Sequence, residues 1–134
     1  MVALTPILSH KERCFRDSIL GRGRDLAVTC TATRVPVVTG HSAAVRLVCK
    51  KPVDPDQAVA ALENWPGVEV EPKGHLFKTP LEMAGSTAVH VGRLRRDPEN
   101  PHALMMWVVA DNLLKGAAWN AIQIADLLAG DRDR

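Results

Sequence analysis

An arginine and a histidine flank a short apolar segment in the sequence TRVPVVTGHS, residues 33–42. Arg34 carries a planar guanidinium that suits a carboxylate, and His41 carries an imidazole, a group that ordinarily titrates near pH ~6.5. Together they could hold an anion and exchange a proton at neutral pH. By itself the pattern is weak, because arginine and histidine at strand ends more often lie at a solvated surface.

Two predicted strands would position this pair. Residues 26–35 and 41–49 are both rich in small and β-branched residues, which is typical of strands. If these strands pair as antiparallel neighbours, Arg34 and His41 lie side by side at one edge of the sheet.

The rest of the chain predicts an α+β fold. Helices are expected at 8–20, 55–65 and 111–130, and further strands at 68–72, 88–97 and 103–110. This order, with short connections, predicts a single domain over residues 1–134 in which a mixed β-sheet is covered by helices on one face. The helix at 111–130 has an apolar arc so wide that contact on more than one side is expected.

Composition excludes several classes of protein. Lys and Arg number 17 against 15 Asp and Glu, and they are interspersed, so neither a nucleic-acid partner nor a membrane partner is expected. The densest basic run, GRLRRD at 92–97, reads as a solvated face on which Arg93 and Arg95 point one way and Arg96 the other. No signal peptide is visible, so a cytoplasmic location is expected.

The cysteines and the remaining histidines indicate no metal site. Cys14, Cys30 and Cys49 have no zinc-ligand spacing, and core packing is the favoured interpretation of Cys30 over a nucleophilic role. The other four histidines have no partners at metal spacing, so they are interpreted as surface or hydrogen-bonded residues: His10, His75, His90 and His102.

No cofactor motif is complete. Gly21 and Gly23 begin like a dinucleotide fingerprint, but Leu26 stands where its third glycine belongs, and the segment precedes a strand instead of following one. A phosphate-binding loop is also missing from the sequence. No cofactor is therefore expected for these residues.

Longer motifs resemble a known family. TRVPVVTGHS, VGRLRRD and WVVADNLLKGAAWNAIQIA are similar to the C-terminal half of aspartate-semialdehyde dehydrogenase, and the resemblance covers roughly residues 9–129. It implies the C-terminal, dimerising fold of the glyceraldehyde-3-phosphate/aspartate-semialdehyde dehydrogenase superfamily, and a homodimer.

The resemblance also implies roles for individual residues. Arg34 corresponds to the arginine that binds the substrate carboxylate in the family, and His41 to its acid/base histidine. Asn112 stands at a position that contacts the nicotinamide nucleotide there, and it is interpreted as a vestige of that site.

Two positions depart from the family pattern. The family has a glutamate and a lysine that contact substrate and phosphate where Phe15 and Ser18 stand here. Phe15 cannot accept a hydrogen bond and Ser18 cannot neutralise a phosphate, so both would line a less polar substrate pocket.

The family's dinucleotide-binding domain has no counterpart in these residues, which predicts a truncated homologue without dehydrogenase activity. The first hypothesis is an enzyme that uses His41 and Arg34 for a cofactor-independent cyclisation or isomerisation of a small molecule. One alternative is a non-catalytic subunit or regulator of a full-length or split dehydrogenase, and another is an excised or degenerate fragment with no present activity.

Overall fold

The structure is a computed structural model that describes residues 30–72 and 75–130. The chain divides into two compact units, Met1–Pro36 and Val37–Arg134. In the first unit, residues 30–36 are described, and they contain no helix or strand. The strand predicted at 26–35 is therefore wrong for residues 30–35, whose β-forming side chains are mostly exposed and gain no packing from a pleated surface. The remainder of that strand and the helix predicted at 8–20 lie outside the described residues.

The second unit contains most of the elements that the sequence predicts. Its strands are β1 (His41–Val48), β2 (Val68–Val70), β3 (Val89–Asp97) and β4 (Asn100–Ala110). Its helices are α1 (Pro55–Glu63), a single-turn α2 (Pro80–Met83) and α3 (Trp119–Ala129), and a π-helical turn (Leu114–Ala118) leads into α3.

The four strands form one mixed sheet in the order β1-β4-β3-β2. β2 runs parallel to β3, and the other pairs are antiparallel. The predicted α+β class with a mixed sheet is thereby confirmed. Within the described residues β1 pairs with β4, so the expected pairing of 41–49 with residues before it does not occur there.

One face of the sheet packs against α1. Val91, Leu94 and Leu104 form the buried core on this face, and α1 contributes Val59 and Leu62 to it. Asp54 caps α1 by accepting a hydrogen bond from the Asp56 N–H, and Pro55 starts the helix with a backbone angle that already suits it.

The other face is partly covered by residues 76–83, a stretch in which no helix or strand was predicted. Here α2 forms because Thr79 and Glu82 make a capping box ahead of Pro80. Gly92 allows the close approach of this stretch, because an added Cβ atom would lie 2.8 Å from the Leu76 carbonyl oxygen. Within this stretch, Met83 is fully buried.

The C-terminal helix has a different environment. No residue of α3 is buried within the described chain, and Leu127 and Leu128 are 67% and 85% exposed. The contact that its wide apolar arc predicts is therefore not supplied by the residues described here. None of the described helices is both long and apolar enough to cross a membrane.

Candidate functional site

His41 is the first residue of β1, and it pairs with Ala110, the last residue of β4. Its side chain is exposed. The β1–β4 pairing places it beside the segment that leads into the π-helical turn. Strand geometry begins directly after Gly40, and His41 therefore stands at the start of β1.

The backbone before His41 is held from two sides. Gly40 has a φ of 99°, a conformation that non-glycine residues rarely adopt. Its N–H donates to the Asn112 side-chain oxygen at 2.6 Å, and an added Cβ atom would lie 2.7 Å from Cβ of Pro80. Asn112 thus anchors the residue next to His41, a contribution within the chain that its sequence position alone does not reveal.

Asp111 organises the adjoining turn. Its carboxylate accepts hydrogen bonds from the backbone N–H groups of Gly85 (2.8 Å), Leu113 (2.8 Å) and Leu114 (3.3 Å). These hydrogen bonds lower the pKa of Asp111 below its ordinary value, and the bond from Gly85 has the largest effect. The carboxylate consequently stays ionised and ties the start of the π-helical turn to the segment before β3.

An open concave surface of about 290 Å³ lies beside His41. We name it the trough. Its wall is mostly apolar, and His41 and Lys115 are the two ionisable residues that line it; the other lining residues are Ser42, Ala43, Val89, Val108, Val109, Ala110 and Gly116. A small, largely apolar ligand with one polar or charged end fits such a surface.

The remaining predicted site residues belong to the first compact unit. Arg34 is exposed and belongs to the first compact unit, whereas His41 and Asn112 belong to the second. Phe15 and Ser18 lie outside the described residues. The pairing of Arg34 with His41 accordingly stays a prediction.

The structure describes two free cysteines, Cys30 and Cys49. Cys49 is half-buried and follows the far end of β1 from His41, about 26 Å along the strand at the usual rise per residue. Cys30 is also half-buried and belongs to the first unit. Among the residues that the structure describes, no group of three or more His, Cys, Asp or Glu side chains could hold a metal ion.

The sequence patterns did not indicate the positions of two ionisable residues, Lys115 and His90. Lys115 reaches the trough from the π-helical turn, a position that helical periodicity could not specify. His90 was interpreted as a surface or hydrogen-bonded residue, but it is 4% exposed and neither ring nitrogen has a hydrogen-bond partner among the described residues. Burial, followed by the charge of Lys78, lowers the pKa of His90. The alternating pattern of β3 assigns His90 to one face of the sheet together with every second residue. This alternation was the sequence signal from which its burial could have been predicted.

Comparison with known proteins identifies relatives of this fold. The family described as the semialdehyde dehydrogenase dimerisation domain matches residues 11–115. An aspartate-semialdehyde dehydrogenase from Shewanella sp. (strain DB6705) is 41% identical over 108 residues, which are 80% of this chain and 32% of that protein. One from Legionella pneumophila is 46% identical over 106 residues, 77% of this chain and 30% of that protein.

A solved structure agrees with these matches. The crystal structure of aspartate semialdehyde dehydrogenase II from Vibrio cholerae, complexed with ASA, superposes with a TM-score of 0.71 at 43% identity. It covers 76% of this chain, and the match is 30% of its own length. The chain therefore spans about a third of the length of these relatives, and it belongs to the semialdehyde dehydrogenase dimerisation-domain family.

Proposed function

We propose that this chain binds a small carboxylate-bearing carbonyl compound and transfers a proton on it, with His41 as the acid/base group. The observation that carries the proposal is the exposed imidazole of His41 at an open, mostly apolar trough. The hydrogen bond from Gly40 to Asn112 supports it, because a general acid or base must be held in place to be effective.

The substrate class follows from the residues assigned to binding. In this proposal Arg34 binds the carboxylate, while Phe15 and Ser18 make the pocket less polar than in the family. The names of the relatives suggest aspartate semialdehyde as a first compound to test. Lys115 also lines the trough, and its ammonium, which donates to the Gln123 side-chain oxygen, would pair with a negative charge that develops on the substrate.

The reaction type that we assign is a cofactor-independent proton transfer, such as a cyclisation or an isomerisation. Hydride transfer through a thioester needs a thiolate beside the acid/base group. Cys49 stands at the opposite end of β1 from His41, so it does not supply that thiolate. Proton transfer needs the imidazole and a bound substrate, and a positioned acid/base group contributes about 10²–10⁴-fold.

Hydrogen–deuterium exchange tests this function directly. The chain is mixed with aspartate semialdehyde in D₂O, and NMR follows exchange of the C–H hydrogens next to the aldehyde. We expect exchange to slow on the order of 10²-fold in His41→Ala, and substrate binding to weaken in Arg34→Gln. His75→Ala, which alters another exposed histidine, is the matched control. Equal exchange rates in His41→Ala and His75→Ala would contradict the proposal.

A second candidate function is that of a dimerising subunit. The observation that favours it is α3, whose apolar side chains include Ile124 at 51% and Leu127 at 67% exposure. Contiguous apolar surface of this kind is unusual on a soluble monomer, and twofold association is the commonest way to bury it. We propose a homodimer, and a separate dehydrogenase subunit is the alternative partner for the same surface.

Light scattering separates these outcomes. We expect a mass of twice 14.6 kDa for the chain at micromolar concentration, and a shift towards one copy in Leu127→Asp, which places a charge in the proposed interface. Leu81→Asp on α2 is the control, because Leu81 is also strongly exposed (83%) but lies on a different helix. A single-copy mass for the unaltered chain, independent of dilution, would exclude the homodimer.

A further inference from the structure

A buried histidine lies beneath the stretch of residues 76–83, which we name the strap. His90 on β3 shares a face of the sheet with Gly92, because residues two apart in a strand point to the same side. The strap crosses this face closely, since an added Cβ atom on Gly92 would lie 2.9 Å from Cα of Phe77. His90 is buried as well. Its imidazole is therefore enclosed between β3 and the chain's own strap.

The surroundings of His90 favour the neutral ring. Neither ring nitrogen has a hydrogen-bond partner among the described residues. Four charged side chains face the ring: Lys78 and Glu82 from the strap, and Glu69 and Glu71 from β2 and the residue after it. Glu69 is the register partner of His90 and forms an ion pair with Lys78 at 2.8 Å. Burial, followed by the charge of Lys78, lowers the pKa of His90, so the ring is neutral at pH 7.

Two hydrogen bonds attach the strap to the sheet near this ring. The Trp107 indole N–H donates to the Lys78 carbonyl oxygen at 2.9 Å, and the Arg93 backbone N–H donates to the Leu76 carbonyl oxygen at 3.1 Å. These bonds and the burial of His90 depend on the same contact between strap and sheet. Separation of the two would therefore break both bonds and expose the imidazole to water.

The strap also touches the residue that precedes His41. An added Cβ atom on Gly40 would lie 2.7 Å from Cβ of Pro80, and the Gly40 N–H donates to the Asn112 side chain on the other side. These two contacts fix Gly40 at its φ of 99°. Displacement of Pro80 would remove one of them, and the backbone that carries His41 would become less fixed.

We propose that His90 is a pH-sensitive switch: its protonation frees the strap from the sheet and loosens Gly40, which weakens the positioning of His41. An imidazolium beneath the strap is a buried charge whose N–H groups lack acceptors among the described residues, and it faces the Lys78 ammonium. Opening of the strap gives both N–H groups to water.

The sign of the pH effect follows from linkage. The pKa of His90 is lowered while the strap is closed, so the open form binds the proton first as the pH falls through 6.5, and acid favours opening. The switch needs no open surface on this face, because His90 lies beneath the chain's own strap. The consequence for His41 rests on the proposed function, whereas the opening of the strap does not.

Hydrogen exchange followed by NMR tests the opening. The Trp107 indole N–H and the Arg93 N–H report on the strap, and the Gly40 N–H reports on the residue beside His41. Their protection, corrected for the intrinsic pH dependence of exchange, should fall by up to about tenfold between about pH 7 and about pH 5.5. At low urea concentrations this exchange should not depend on urea, because local opening exposes little surface. Exchange that rises with urea as steeply as that of the slowest sheet amides would indicate global unfolding and overturn the proposal.

Variants at two histidines assign the effect. His90→Leu and His90→Phe each remove the titrating group with an apolar side chain of different shape, and both should abolish the loss of protection on acidification. His75→Leu, next to the strap at an exposed position, is the matched control and should retain it. The same loss in the unaltered chain and in both His90 variants would show that His90 is not the switch.

A second measurement tests the link to His41. Deuterium incorporation into aspartate semialdehyde is compared at the two pH values for the unaltered chain and His90→Phe, so that the titration of His41 itself is common to both. We expect acidification to slow the unaltered chain more. Strap opening without any substrate exchange in either chain would contradict the proposed function and still support opening by His90. Equal pH dependence of two active chains, with Gly40 protected throughout, would overturn the link to His41.

Discussion

The sheet formed by β2, β3 and β4 is packed against α1 on one face and partly covered by residues 76–83 on the other, whereas β1 is exposed along almost its whole length. Leu104 and Leu47 show the contrast best, because they are register partners across the β1–β4 pair. Leu104 is 2% exposed and Leu47 is 45% exposed. Equal strand pairing therefore leads to very different burial, since burial depends on what the rest of the chain places above each face.

This difference predicts unequal costs of truncation. Leu104→Ala should lower the free energy of unfolding by about 2–5 kcal/mol, because it leaves a cavity in the core. Leu47→Ala should lower it by less than about 1 kcal/mol, as is usual for exposed sites. Urea unfolding of the two variants measures both values. A large effect of Leu47→Ala that grows with protein concentration would show instead that a second copy covers β1.

The glycine before β1 provides the next test, at the boundary between the covered and uncovered regions. Gly40→Ala should destabilise the fold by about 1–3 kcal/mol, because alanine is strained at positive φ and its Cβ atom would collide with Pro80. Thermal unfolding measures the change.

Gly116→Ala is the matched control for this variant. An added Cβ atom there meets nothing closer than 3.7 Å, and alanine favours helices over glycine, so the effect should be neutral or stabilising by up to about 1 kcal/mol. Equal stability of the two variants would mean that Pro80 moves aside and that the Gly40 conformation is not required.

A smaller effect is expected inside the covered region. His90 carries two buried nitrogens without partners in the described chain, so His90→Leu should stabilise the protein by about 1 kcal/mol at pH 7.5. The charged groups around the ring are Lys78, Glu69, Glu71 and Glu82.

The pH dependence of this variant has a defined sign. The pKa of His90 is lowered in the folded state, so the unfolded chain binds the proton first as the pH falls through 6.5. The stability of the unaltered chain should therefore decline below pH 6.5 until the lowered folded pKa is reached, and His90→Leu should lack that part of the decline. His75→Leu, at an exposed position, should retain it. Parallel pH curves for the unaltered chain and His90→Leu would show that His90 is not the responsible group.

Sequence patterns predicted the regular elements of the second unit well. The alternation at 88–97 and the β-branched run at 41–49 correspond to β3 and β1 within a residue at each end. The run at 26–35 has the same composition, yet residues 30–35 form no strand. Composition indicates which segments can form strands. Strand pairing also requires the edge of a neighbouring strand, about which a local sequence pattern says nothing.

The candidate site was predicted less completely. His41 was singled out from its motif, and the structure places it at the trough. Lys115 was not singled out from the sequence, because it belongs to a π-helical turn whose register departs from ordinary helical spacing. Arg93 and Arg95 were predicted to share a face of a regular strand, but β3 has a bulge between Gly92 and Arg95, where Arg93 has a φ of 53°, and the alternation does not reveal it.

The sequence by itself determined most of the helix and strand segments of the second unit and the membership of the family, because these depend on residue types and spacing along the chain. Tertiary structure decided that His90 is buried, that Asn112 holds Gly40 from 72 residues away, and that Leu47 stays exposed opposite a buried partner. The physical reason is that propensity acts over a few residues. Burial and hydrogen bonding are instead set by groups that only the folded chain brings into contact.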